Sequence, residues 1–328
     1  MKAVLMSGFG DPDVLFIGEA PAPRLGPGEL LVRVRATALN RADLLQRRGH
    51  YPPPPGASDI LGLEIAGEVA EVGAGTSGWR IGDRVCALLP GGGYAQYAVI
   101  PAGMAMRIPP NLSFEQAAAI PEVFLTAYLN LFWLARFAAH DRVLIHAGAS
   151  GVGTAAIQLV REAGGRSWVT AGSTEKIARC LELGAEAGWN YHDGSFAPFV
   201  AEQTAGQGVD IVLDFVGAPY FHDNLRSLAM DGRLVVIGTM GGVKVDEVDL
   251  GYLLGRRLQI IGTALRSRPV AEKMRLTQAF WFFAEERFAS ARLRPVVDTV
   301  FPWTDVVAAH RYMEENRNTG KIVLRVDS

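Results

Sequence analysis

The chain has 328 residues, 49% of them apolar, and a formal net charge of −2. That length points to two domains. Scattered basic residues exclude a nucleic-acid footprint, no apolar run is long enough to span a bilayer, and two cysteines (Cys86 and Cys180) exclude a disulfide framework or a four-cysteine zinc site. The opening Met1 to Met6 breaks at Ser7-Gly8 without the apolar segment of a secretory leader, so a cytoplasmic protein is expected.

The first third reads as β-rich. Leu30 to Ala36 alternates apolar and basic residues, as a half-buried strand does. Asn40 to Arg48 reads as a short polar helix, with Asn40 able to cap a free N–H of its first turn. Tyr51 then leads into four prolines, Pro52 to Pro55, a stiff extended run that is either a surface loop or the fixed wall of a pocket. Glycines flank the alternating segments from Gly62 to Gly73 and from Gly82 to Val85, as in a small, tightly turned barrel-like domain. Ser113 with Gln116 forms a capping-box pattern. Phe124 to Phe137 reads as a buried helix with Thr126 at its start.

From Arg142 the period changes. Apolar runs at Val143–Ile145, Trp168–Thr170, Ile211–Leu213 and Leu234–Ile237 alternate with helical segments, which implies a parallel sheet covered on both faces. Gln259–Ile261 reads as a last strand, Leu234–Ile237 and Gln259–Ile261 are expected at one edge of the sheet, and an apolar edge left open invites a second copy, so a homodimer is expected. A helix from about Pro269, a helix near Thr304 and the strand Ile322–Val326 follow. This tail has no β/α repeat and returns to the first domain.

The organising stretch runs from Val143 to Leu159: strand, glycine turn, helix. Gly148, Ser150, Gly151, Val152 and Gly153 form the turn, which aims backbone N–H groups and a helix dipole at one point, a seat for a pyrophosphate. The middle glycine of the G-x-G-x-x-G pattern is Ser150. A site for NAD usually carries an acid at the end of its second strand, about 20 residues past the first glycine. Here that strand ends Ala171-Gly172-Ser173, and Lys176 follows. A hydroxyl and an ammonium suit a 2′-phosphate, so NADPH is favoured over NADH, with the neighbouring Glu175 free to point away. His146, on the strand entering the turn, reads as structural.

These residues carry a resemblance. The chain, from Met1 to about Val326, resembles the zinc-free quinone oxidoreductases of the medium-chain dehydrogenase/reductase superfamily, relatives of zeta-crystallin. Within that group it is most similar to the tumour-suppressor-inducible quinone oxidoreductase subfamily. The signature pieces are Ala38 to Asp43, Tyr51 to Gly56, Gly62-Leu63-Glu64, His146 to Ala156 and Gly320 to Leu324. Zinc enzymes of the superfamily place a Cys where Leu39-Asn40 stands and a His where Leu63 stands, so no metal is expected. The resemblance implies an α/β protein with a β-rich GroES-like catalytic domain (1–122 and 265–328) and a Rossmann doubly wound domain (123–264). It implies hydride transfer from NADPH to a quinone in the cleft between them. Asn40 and Thr126 are expected near the nicotinamide, with Asn40 and Tyr51 at the reacting end and Tyr51 facing substrate. Gly172, Ser173, Lys176 and Tyr191 are expected at the adenosine phosphate. Phe215, Gly217, Gly238, Met240, Gly241, Leu265 and Arg266 are expected after strands that face the cofactor. Tyr191 is equally readable as a surface tyrosine and Phe215 as core. Two rival readings stay open: reduction of α,β-unsaturated ketones or aldehydes, and a cofactor-binding structural or regulatory protein.

Overall fold

The computed structural model describes residues 1–327, which divide into two compact units. The first takes Met1–Leu125 and the chain from Arg266 on; the second takes Thr126–Leu265.

The first unit opens with β1 (Lys2–Met6) and β2 (Leu15–Glu19), an antiparallel pair. Then come β3 (Glu29–Ala38), α1 (Arg41–Arg47), β4 (Glu64–Val72), β5 (Arg84–Leu88), β6 (Tyr97–Pro101), β7 (Ala105–Arg107), α2 (Phe114–Ala118) and α3 (Pro121–Tyr128). The alternation in β3 decides its faces. Leu30, Val32, Val34 and Ala36 are buried, while Arg33 and Arg35 turn outward and both meet Glu68 of β4 at 2.8 Å. Ser113 and Gln116 exchange the two capping-box hydrogen bonds (3.2 and 3.0 Å) that open α2.

The second unit holds β8 (Arg142–Ile145), α4 (Gly151–Glu162), β9 (Arg166–Ala171), α5 (Thr174–Leu183), β10 (Ala187–Asn190), α6 (Ala197–Gln203), β11 (Val209–Asp214), α7 (Phe221–Ser227), β12 (Leu228–Val236), α8 (Leu250–Arg256) and β13 (Gln259–Gly262). Its six strands lie in the order β10-β9-β8-β11-β12-β13, all parallel, the doubly wound arrangement expected from the β/α alternation. β13 is an edge strand, with Ile260 exposed.

The chain closes the first unit with α9 (Val270–Ala289), β14 (Val297–Pro302), α10 (Val306–Glu314) and β15 (Lys321–Arg325). β15 pairs antiparallel with β3, so the tail does return to the first sheet, whose order is β14-β15-β3-β4-β5-β7 with β6 also on β3. Leu276, Phe280, Ala284 and Phe288 recur along one stripe of α9 and are buried, with Phe124 against both aromatic rings. Burying each of the Leu and Phe side chains stabilises by ~1.5–3 kcal/mol.

The helix expected over Phe124–Phe137 needs correction. It begins at Pro121, continues from Leu129 to Leu134 with π-helical bonding, and ends where Arg136 takes φ 52°. Pro121 sets the start, because a proline at the first helical position has no N–H to satisfy. Thr126 therefore lies inside α3, not at its start, and is buried. No helix among the described residues is long and apolar enough to cross a membrane.

Candidate functional site

In the first unit the site is built where α1, β4, α3 and β15 meet. Asn40 stands at the N-cap of α1, and the Asp43 carboxylate accepts its backbone N–H at 2.8 Å. The Asn40 side chain is committed elsewhere. Its Nδ2 donates to Glu64 Oε1 (2.9 Å) and to the Ala38 carbonyl (3.3 Å), and its Oδ1 accepts from Lys321 Nζ (2.6 Å). Lys321 Nζ also donates to Glu64 Oε1 (2.7 Å) and to the Leu39 carbonyl (2.5 Å). Lys321, Glu64 and Asn40 thus form a closed ring in which all three ammonium donors are used. Glu64 Oε2 accepts the backbone N–H of Glu122 at 2.8 Å. A buried charge pair of this kind persists only with its remaining lone pairs satisfied, which is the case here.

A second chain of bonds reaches Asp43 from α10. Arg47, paired with Glu314, donates to His310 Nδ1 (3.0 Å). That leaves His310 Nε2–H to donate to the Tyr94 oxygen (3.4 Å), and the Tyr94 hydroxyl to donate to Asp43 Oδ2 (3.3 Å). Gly62 N–H serves Asp43 Oδ1 at 3.1 Å. Burial pushes Asp43 up to about 6 even with these donors, and pushes His310 down to about 3, aided by the Arg47 charge.

Arg266 defines the other side. It donates to the Pro90 carbonyl (2.8 Å), the Tyr51 carbonyl (3.4 Å) and Gln46 Oε1 (2.7 Å), and its guanidinium lies 5.1 Å from the Tyr51 ring centroid. The guanidinium expected at the cofactor is thus spent on holding the Tyr51 loop, and Leu265 beside it is buried. The Tyr51 hydroxyl makes no hydrogen bond among the described residues; its pKa is raised by burial and then by the charge of Glu122. Glu122, in the first turn of α3, was not singled out in the sequence because an acid there reads as an ordinary helix opener. Its carboxyl is half-buried and makes no hydrogen bond or ion pair among the described residues. Burial, then Glu64, pushes it up to about 8.

In the second unit the sites follow the ends of parallel strands. After β8, Gly148 and Gly153 must be glycine: a Cβ at Gly148 would lie 2.6 Å from Val169 Cβ, and one at Gly153 would lie 2.5 Å from the Ala147 and Gly148 carbonyl oxygens. Ser150 caps α4 by accepting from Gly153 N (3.1 Å). The N–H groups of Gly151 and Val152 make no hydrogen bond among the described residues, so they face outward at a positive helix end. After β9, Ser173 caps α5, accepting from Lys176 N at 3.2 Å. Tyr191 is exposed, and its hydroxyl lies 2.3 Å from where a Cβ of Gly172 would be, so it covers that glycine. The Glu175 carboxylate is held below the usual range by its own backbone N–H and by the Ser173 hydroxyl. In the first turn of a helix the N-cap hydroxyl is within reach of that side chain.

After β11 and β12, Phe215, Gly217, Gly238, Met240 and Gly241 are brought together. Met240 N bonds the Phe215 carbonyl (3.2 Å) and Gly241 N the Val216 carbonyl (2.8 Å). The buried Asp214 carboxylate fixes this loop pair by accepting from Val216 N (2.7 Å) and Gly217 N (3.1 Å). Asn224 Nδ2 donates to Asp214 Oδ2 (3.1 Å), which turns its Oδ1 to His146 Nε2 (2.7 Å); Thr170 Oγ1 meets His146 Nδ1 (2.9 Å). Burial holds His146 neutral, down to about 4, so it is a structural histidine. The Thr126 carbonyl accepts from Asn130 Nδ2 at 2.8 Å.

Residues 26–110 match the family model described as alcohol dehydrogenase GroES-like domain, and 183–324 match zinc-binding dehydrogenase. Quinone oxidoreductase of Sus scrofa is 30% identical over 99% of this chain and 97% of its own length. A mycocerosic acid synthase-like polyketide synthase of Mycobacterium tuberculosis is 34% identical over 92% of this chain, which spans only 14% of that protein. A mycobacterial protein solved in complex with NADPH is 31% identical, covering 99% of this chain and 100% of its own, with a TM-score of 0.87. The chain belongs to the medium-chain dehydrogenase/reductase superfamily, and its two units have the GroES-like and Rossmann folds of that superfamily.

The donor set does not fit a catalytic zinc. Leu63 is apolar, the Asn40 amide is saturated, and one Glu64 oxygen carries the Lys321 ammonium.

Proposed function

We propose that the chain is an NADPH-dependent quinone reductase that works without metal. The closed ring of Lys321, Glu64 and Asn40 carries this reading: a fixed ammonium stands among the residues that would otherwise serve a metal, and the end-to-end similarity to a quinone oxidoreductase agrees with it. The residues of the second unit suit a dinucleotide. Gly151 and Val152 N–H would take the pyrophosphate, Gly172 and Tyr191 would lie against the adenosine ribose, and Ser173 with Lys176 would take the 2′-phosphate. Bound there, NADPH supplies the hydride. The chain's own residues bind and orient. Arg266 holds the Tyr51 ring and loop, and the Tyr51 hydroxyl is left to meet a quinone oxygen as negative charge develops on it. Asn40 is a positioning residue, since its amide has no donor left for substrate. A second copy would pair along the open β13 edge, where Ile260 is exposed.

The test is an acceptor panel followed by NADPH absorbance, with and without chelator. Quinone turnover that survives chelation and is faster with NADPH than NADH is expected. Lys176→Ala should weaken NADPH by ~1–3 kcal/mol and leave NADH nearly unchanged. Turnover confined to alkenals would move the substrate class, turnover lost to chelator and restored by zinc would overturn the metal-free reading, and NADPH binding with no acceptor reduced would leave a cofactor-binding protein.

A further inference from the structure

We propose that Glu122 is the proton donor of this site, a neutral carboxylic acid that protonates the acceptor oxygen as hydride arrives. The assignment rests on the quinone reductase reading above.

The site holds three carboxyl groups, and two are fully engaged. Glu64 Oε1 accepts from Lys321 and Asn40, and its Oε2 accepts from Glu122 N. Asp43 Oδ2 accepts from Asn40 N and Tyr94, and its Oδ1 accepts from Gly62 N. Glu122 alone has neither oxygen occupied among the described residues, and it is also the one that is not fully buried. An acid that no donor stabilises is the one that keeps its proton.

The charges around it come from every element packed there. Glu64 of β4 and Asp43 of α1 favour the protonated form, after burial itself, while Lys321 of β15 and Arg266 oppose it. Lys273 of α9 and Tyr51 each sense the Glu122 charge. The start of α3 also favours the anion, so the helix end works against the proton and is outweighed. The outcome is a carboxyl at about 8, which carries its proton at neutral pH. The Tyr51 hydroxyl, proposed above to meet the acceptor, senses the same carboxyl charge.

The balance is simple. Quinone, NADPH and one proton give hydroquinone and NADP⁺. The acceptor gains two electrons with the hydride and a negative charge on oxygen. The Glu122 O–H bond breaks, its proton forms the new O–H bond of the acceptor, and the electron pair stays on the carboxylate, which takes a proton from water before the next turnover.

The experiment uses the full-length protein, Glu122→Gln and Glu122→Asp, with a quinone as acceptor. Wild-type kcat is expected to fall as pH rises through about 8. Glu122→Gln should lose activity on the order of 10²-fold and lose that pH limb, since general acid catalysis is worth about that much. Glu122→Asp should recover the limb. Carbon-13 NMR of the Glu122 carboxyl should titrate near 8 without substrate or cofactor. A midpoint near the ordinary carboxylate value overturns the proposal. So does a Glu122→Gln variant that keeps full turnover and an unchanged pH profile, an outcome that leaves the quinone reductase reading standing. A wild type that reduces no acceptor on the panel removes both.

Discussion

Each unit buries a polar network, and the two differ in what they leave over. In the second, His146, Thr170, Asn224 and Asp214 pass hydrogen bonds from one to the next and end on the backbone of Val216 and Gly217. His146 uses both ring nitrogens, Asn224 both amide atoms and Asp214 both oxygens, so nothing remains to react. In the first, the ring of Lys321, Glu64 and Asn40 is just as complete, yet the Glu122 carboxyl and the Tyr51 hydroxyl beside it are left without partners among the described residues. The closed network shapes a loop; the network with unspent groups beside it is where chemistry can occur.

The strongest way to break the contrast is Lys321→Met. It strands the buried Glu64 carboxylate, and a loss of ~3–5 kcal/mol in urea unfolding is expected. A loss below ~1 kcal/mol would mean that water reaches the ring. Asn224→Leu breaks the network of the second unit instead, leaving His146 and Asp214 each short of a partner, at a cost of ~1–3 kcal/mol per orphaned group.

His146 and Glu122 carry opposite pH signatures. His146 takes a proton at about 4 when folded against an ordinary 6.5, so between those values the unfolded chain binds more protons. Stability therefore falls as pH drops through that window, by ~3 kcal/mol for a shift of this size. Glu122 runs the other way. Its folded pKa of about 8 lies above the ordinary 4.5, so its contribution is fully present below 4.5 and is lost as pH rises through 8. Replacing His146 by Leu should reduce the slope on the acid side of a plot of unfolding free energy against pH, where His310 still contributes, and Glu122→Gln should reduce it toward alkaline pH. An unchanged plot for either would sink that assignment.

The smallest effect sharpens the reading of Tyr51. Tyr51→Phe keeps the ring under Arg266 and removes the hydroxyl, so kcat and kcat/KM should fall together by about 1 kcal/mol, roughly five-fold, with NADPH affinity unchanged. Loss of NADPH binding in step with activity would place the tyrosine with the cofactor instead.

Much of the fold was legible because it is local. The β/α alternation after Arg142 and the glycine spacing at Gly148 to Gly153 each lie within one short window, and the parallel sheet follows from them. The ring was not legible, because Asn40, Glu64 and Lys321 come from α1, β4 and β15 and no window contains them. Lys321 stood in a recognisable Gly320 to Leu324 stretch, yet nothing local says where its ammonium goes. Glu122 was missed for a related reason. An acid in the first turn of a helix is the expected residue there, and only the neighbours decide whether it is ordinary.

The route of the chain sets an order of assembly. The second unit is continuous in sequence, so all of its strands have been made once residue 265 has been added. The first is not: 281 positions separate Lys321 from Asn40. At roughly 5–20 residues per second, Asn40 and Glu64 wait on the order of 15–55 s for their cation during synthesis. The unit that begins the chain is thus the last that can be completed, and the closing of a single ammonium contact marks the moment when the site exists.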